Sequence, residues 1–138
     1  HGFDLRSQAR ELEPVLEELR DLGIRSSLFM DPEPEQMALA AAIGADRIEL
    51  YTEAYARAVA SGEHVEETFD RYRASAEAAL EAGLGINAGH DLNLENLPRF
   101  RDLPGLQEVS IGHALTVDAL RIGLPAAVRA YQAGLGKL

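Results

Sequence analysis

With 138 residues the chain has the length of one ordinary domain and is too short for two sizeable cores. Hydrophobic residues at 46% and charged residues at 26% exclude a mainly disordered chain, and the lack of cysteine excludes disulfide frameworks, thiolate metal sites and a cysteine nucleophile. A formal charge of -10 argues against nucleic acid and anionic membrane partners; with no apolar run near the roughly 20 residues of a bilayer span and no signal peptide recognised, a cytoplasmic protein is expected.

The elements are read from the amino end. Pro14 is placed in a first turn, where its missing N–H costs nothing, so a helix is predicted over 14–22 with Val15, Leu16, Leu19 and Leu22 on one face. Gly23 supplies the left-handed residue past its end, and 26–30 reads as a strand. Asp31, with Glu33, is expected to cap a second helix whose prolines sit in the first turn and which runs through Met37 and Ala41 to Ile43. Gly44 then returns the chain to a strand over 47–51, followed by a short helix over 53–60. A longer helix carries Val65, Phe69, Tyr72, Ala76 and Leu80 at helical spacing and ends at Gly83. Strands over 84–88 and 108–111 follow, with helices near 94–101, 115–122 and 125–132.

Strands alternating with helices imply a parallel α/β sheet with right-handed crossovers. Two closures are open at this point: a four-stranded doubly wound sheet, or half of a (β/α)8 barrel, whose full form takes about 250 residues. The strand Arg47-Ile48-Glu49-Leu50-Tyr51 puts Ile48 and Leu50 on one face and Glu49 on the other. A carboxylate in mid-strand is costly in a dry interior unless paired or used, which favours a barrel whose inner face meets a reaction site.

The strand ends carry the chemistry. Leu84-Gly85-Ile86 runs into Asn87-Ala88-Gly89-His90, and Val109-Ser110-Ile111 into Gly112-His113, so two of the four histidines follow the carboxyl ends of consecutive strands, each behind a glycine. Parallel α/β folds place ligands at that edge. Glycine lets backbone approach a ligand, a helix start offers free N–H groups to phosphate, and imidazole transfers protons near neutral pH. The competing readings are structural: a loop histidine at each corner and an interstrand salt bridge at Glu49. His64, among Glu63, Glu66, Glu67 and Asp70 at a helix start, reads as solvated surface, and His1 is uninformative.

The segments Arg25-Ser26-Ser27-Leu28-Phe29-Met30-Asp31, Ile48-Glu49-Leu50-Tyr51-Thr52, Asn87-Ala88-Gly89-His90-Asp91-Leu92-Asn93 and Ser110-Ile111-Gly112-His113-Ala114-Leu115 resemble the second half of the pyridoxine 5'-phosphate synthase family. The resemblance covers essentially the whole chain, and its N-A-G-H and I-G-H-A motifs are specific together. It implies that residues 1–138 are a single partial domain, the C-terminal half of a (β/α)8 barrel, with Gly-His corners after barrel strands seven and eight. It implies the condensation of 3-amino-2-oxopropyl phosphate with 1-deoxy-D-xylulose 5-phosphate to pyridoxine 5'-phosphate, with no metal or organic cofactor and a homo-oligomeric full-length protein. By the same resemblance His90 is proton donor and substrate contact, Gly112 and His113 contact the aminooxopropyl phosphate, and Glu49 stabilises charged intermediates. The family's N-x-D-H and H-x-R-E-D motifs and its glutamate general base have no counterpart here, and Asp91 stands where glycine is common. A non-catalytic half-barrel or another phosphate-handling barrel enzyme remains the competing assignment.

Overall fold

A computed structural model of the protein describes residues 1–136, and its four strands and seven helices alternate as the periodicity predicts. In chain order they are α1 (Leu5–Asp21), β1 (Ser27–Met30), α2 (Met37–Ala42), β2 (Arg47–Tyr51), α3 (Glu53–Ser61), α4 (Val65–Glu81), β3 (Gly85–Gly89), α5 (Leu97–Phe100), β4 (Leu106–Ser110), α6 (His113–Ile122) and α7 (Leu124–Gly134). All neighbouring strands pair in parallel and the sheet order is β1-β2-β3-β4. Each crossover therefore adds its strand on the same side of the last. A doubly wound sheet reverses that order at a switch point, whereas a barrel keeps it, so the winding is that of a partial (β/α)8 barrel.

Side-chain alternation gives the sheet two unlike faces. Leu28, Met30, Ile48, Leu50, Ile86 and Ala88 are buried under the helices and form the core. On the other face Ser27, Arg47, Asn87 and Glu108 join in one polar layer. Arg47 Nη1 donates to Asn87 Oδ1 at 3.0 Å and to Glu108 Oε1 at 2.9 Å, and Asn87 Nδ2 donates to Ser27 Oγ at 3.3 Å. With these partners the buried Asn87 amide does not carry an unmet desolvation cost.

Helix ends at Gly23, Gly44 and Gly83 follow the predicted rule, all three glycines having positive φ. Behind β2 and β3 an aromatic cluster locks the helices to the strand ends. Tyr55, Phe69, Tyr72 and Phe100 are essentially fully buried, with Phe100 centred 5.0 Å from Tyr55 and 5.5 Å from Tyr72. The Tyr72 hydroxyl donates to the carbonyl of Tyr51 at 2.7 Å, and burial raises its pKa well above the ordinary phenol range. Tyr55 donates to the carbonyl of Asn96 at 3.0 Å.

Several expectations are corrected. The first helix begins at Leu5, capped by the Asp4 carboxylate on Arg6 N, so Pro14 lies in its interior. Both Pro14 and Arg10, whose carbonyl loses its helical partner, are exposed, so the missing bond does not leave a buried orphan group. Asp31 and Glu33 do not cap with their side chains. Asp31 Oδ1 accepts the N–H of Gly2 at 3.2 Å, and Glu33 Oε2 accepts from Arg6 and Gln36 while a 3-10 turn, Pro34–Gln36, leads into α2. Leu80 is 45% exposed and lies over Gly105 rather than in the core. The helix expected over 94–101 keeps only four residues, because Asn93 and Asn96 spend their side chains on a turn before it. The last strand runs Leu106–Ser110 instead of 108–111, and α6 begins two residues early, at His113 itself.

Candidate functional site

The site is built at the carboxyl ends of β2, β3 and β4. Register places Tyr51 beside Gly89 and Gly89 beside Ser110, so the residues just beyond these strands converge on one rim. His90 follows β3 directly. Its N–H donates to the carbonyl of Ser110 at 3.2 Å, which extends the β3–β4 ladder by one bond. It holds φ +93°, a left-handed conformation that non-glycine residues adopt at a cost. The ring stacks edge-on against Tyr51, with centroids 5.3 Å apart, and its Nδ1 lies 2.9 Å from Asp91 Oδ2. Asp91 thus pairs with the histidine while staying partly exposed. A proton on Nδ1 is held by that carboxylate, and Nε2 is left for other work.

His113 is the first residue of α6 and Gly112 its N-cap, which no side chain caps. Apart from its own chain neighbours, nothing lies within 4 Å of where a Cβ on Gly112 would stand. His90, Asp91, Gly112 and His113 line one cleft of about 620 Å³ together with Ala56 and Ala60 of α3. A second hollow of about 400 Å³ adjoins it over α6, sharing Asn93, His113 and Ala114 and adding Asp118 and Arg121.

Glu49 does not line this cleft; it stands on β2, on the strand face opposite the core. Its carboxylate accepts a long hydrogen bond, 3.4 Å, from the Ser110 hydroxyl, and among the described residues it forms no ion pair. The interstrand salt bridge is instead made one step down the strand, by Arg47 with Glu108. Gly89 makes the place for Glu49: a Cβ there would lie 2.7 Å from Glu49 Oε1 and 2.7 Å from the Ser110 carbonyl oxygen. The sheet thus gathers His90, Gly112 and His113 into one cleft and puts Glu49 on the adjoining strand.

His64 is exposed, 2.9 Å from Glu67, and His1 is exposed, 3.5 Å from Asp31; neither joins the cleft. Glu66 pairs with Arg99, whose guanidinium covers the Phe69 ring at 4.0 Å, so part of that acidic face is bound rather than free. Two rim residues escaped the sequence reading. Tyr51 donates its hydroxyl to Glu53 Oε2 at 3.1 Å, and its pKa is raised by desolvation and then by that carboxylate. Thr52 is fully buried and hydrogen-bonded to the backbone on both sides of His90. Both close the segment 48–52 that carries the resemblance, but nothing in that segment reveals the contacts either one makes. Among the described residues no group of three or more His, Asp or Glu could hold a metal ion, and no helix is long and apolar enough to cross a membrane.

A parallel sheet wound in chain order, with Gly-His corners on neighbouring strands at its carboxyl edge, defines a partial barrel of the (β/α)8 class with its ligand-facing rim. The chain belongs to the family of the pyridoxal phosphate biosynthesis protein PdxJ, whose model matches residues 1–137. It is 49% identical over 132 residues to a pyridoxine 5'-phosphate synthase of Albidiferax ferrireducens, covering 95% of this chain and 52% of that protein. The proteins of the same name from Brucella anthropi and Xanthomonas axonopodis pv. citri are 46% identical over 136 residues and 49% over 132, covering 98% and 95% of this chain. They are covered to 56% and 51%, so the chain spans about half the length of the curated relatives it matches.

Proposed function

We propose that this chain forms the C-terminal half-barrel, over residues 1–138, of a pyridoxine 5'-phosphate synthase; residues 137–138 lie outside the described residues. The reaction is the condensation of 3-amino-2-oxopropyl phosphate with 1-deoxy-D-xylulose 5-phosphate, closing a pyridine ring with release of inorganic phosphate and water. The observation that carries this reading is the single cleft shared by the two Gly-His corners, whose openness beside Gly112 and uncapped helix start suit a phosphate. The relatives' shared name points to the product, and the family resemblance implies the two substrates. A cytoplasmic, homo-oligomeric full-length enzyme acting on small phosphorylated molecules, with no metal or organic cofactor, belongs to the same proposal.

Each side chain then has a task. The N–H groups at the start of α6 and the His113 imidazole take the phosphate of the amino ketone, with Gly112 letting the oxygens reach the backbone. His90, held through Nδ1 by Asp91, gives a proton from Nε2 to a departing oxygen. Glu49, oriented by Ser110, faces the positive charge that develops as amine becomes imine.

The direct test is a coupled assay on the complete barrel carrying this sequence, following pyridoxine 5'-phosphate and released phosphate together. Phosphate release without pyridine formation would assign the cleft to another phosphate-handling enzyme. A sharper check uses Gly112→Val. The glycine has φ -102° and open space around it, so the variant is expected to fold normally. The KM for the aminooxopropyl phosphate should rise by about tenfold or more, with a smaller effect on kcat. An unchanged KM would remove the phosphate from this corner.

A further inference from the structure

We propose that Thr52 is a positioning residue for His90, a clamp that holds the histidine corner in its left-handed conformation; the proposal rests on the reading of His90 as proton donor. Thr52 stands between β2 and α3, at the N-cap of α3, where a threonine hydroxyl ordinarily accepts a hydrogen bond from its own helix. Here it makes none. The side chain is fully buried, its Oγ1 donates to the carbonyl of Gly89 at 2.7 Å and accepts the N–H of Asp91 at 3.1 Å. One hydroxyl therefore uses its donor and an acceptor site on the two residues that flank His90.

That arrangement answers a specific difficulty. His90 is held at φ +93°, and such a conformation persists only where its surroundings over-determine it. Three anchors do so: the bond from His90 N to Ser110 O on the β4 side, and the two bonds of Thr52 on the β2 side. The backbone so fixed sets the imidazole perpendicular to the Tyr51 ring, with centroids 5.3 Å apart, and brings Nδ1 to Asp91, whose own N–H is the one Thr52 holds. Loss of the clamp frees the corner to relax and carries Nε2 away from its working position. Displacements of about 1 Å in a reacting group can cost on the order of 100-fold in rate.

The test compares Thr52→Val, which keeps shape and β-branching but removes the hydroxyl, with Thr52→Ser, which keeps the hydroxyl, both in the complete barrel. Thr52→Val is expected to lower kcat by about 10- to 100-fold with KM for both substrates changed by less than about threefold, and Thr52→Ser to stay within about threefold of the parent kcat. In parallel, NMR of the His90 ring protons reads the corner without catalysis. Their ring-current displacement by Tyr51 should collapse in Thr52→Val and persist in Thr52→Ser. A lowered melting temperature with unchanged kcat per folded enzyme and unchanged ring shifts would overturn the clamp, as would equal losses of kcat in the two variants. If Thr52→Val fails to fold, Thr52→Ser decides: parent ring shifts and kcat support the clamp, and their loss overturns it. Failure of the underlying reading is distinct, since His90→Asn would then retain kcat while the ring shifts still respond to Thr52→Val.

Discussion

His90→Asn in the complete barrel is expected to lower kcat by about 10²- to 10⁴-fold, the range that a positioned general acid contributes. Asparagine keeps a polar side chain of similar reach and tolerates positive φ better than most residues, so the corner at φ +93° should survive the change. The titrating group is lost. Affinity for either phosphate should change little, because the uncapped start of α6 and the open side of Gly112 lie on the next strand's corner. Glu49→Gln is the companion variant: Ser110 can still donate to the amide oxygen, so the geometry is kept while the negative charge disappears. It should lower kcat by about 10- to 1,000-fold with phosphate affinity retained. Steady-state kinetics with both substrates varied separates the two effects. Parent-like kcat in both variants would return His90 to a corner residue and Glu49 to a polar filler of the strand face.

What the sequence made legible was whatever has a local period or a local exclusion. Gly23, Gly44 and Gly83 marked helix ends because few other residues take positive φ cheaply, and each was found there. Glu49 was legible as an out-of-phase carboxylate between Ile48 and Leu50, and those two are fully buried on the opposite face. Long-range partners were not legible. Asp31 looked like a helix cap because a cap is the local use of Asp before proline, yet its oxygen meets Gly2, 29 residues away. Thr52 closes the segment 48–52 that carries the family resemblance, yet its contacts were not legible there, since its two partners lie 37 and 39 residues along the chain and become neighbours only when β3 pairs with β2. Pro14 misled for another reason. On an exposed helix face the orphaned carbonyl is not buried, so the rule against proline in helix interiors weakens there.

Residues 1–138 alone are expected to form no pyridoxine 5'-phosphate, and to regain turnover when mixed with the half-barrel that bears the family's remaining motifs. The first half of this expectation follows from the proposed roles: the cleft supplies a phosphate cup and a proton donor, and Glu49 on β2 a charge stabiliser, but none of the residues given a role is a base positioned to start the condensation. The second follows from the faces left uncovered. Among the described residues β1 pairs only with β2 and β4 only with β3, so each outer strand offers backbone groups to a further strand; Phe3 covers one of these, donating to Phe29 O at 2.7 Å. Leu120 on α6 is 84% exposed, Ile122 54% and Leu124 57%, while at the other end of the sheet Leu22 and Ile24, beyond α1, are 66% and 51% exposed. Apolar side chains at both ends of a row of strands are what a barrel covers by closing on itself. The isolated chain should therefore associate at micromolar concentration, and light scattering should show the associated species dissolve as the complementary half is added. A sharp monomer that unfolds cooperatively and ignores the complementary half would mean that the four strands need no closure. Turnover by the chain alone, with contaminating enzyme excluded by mass, would mean that the base lies within residues 1–138.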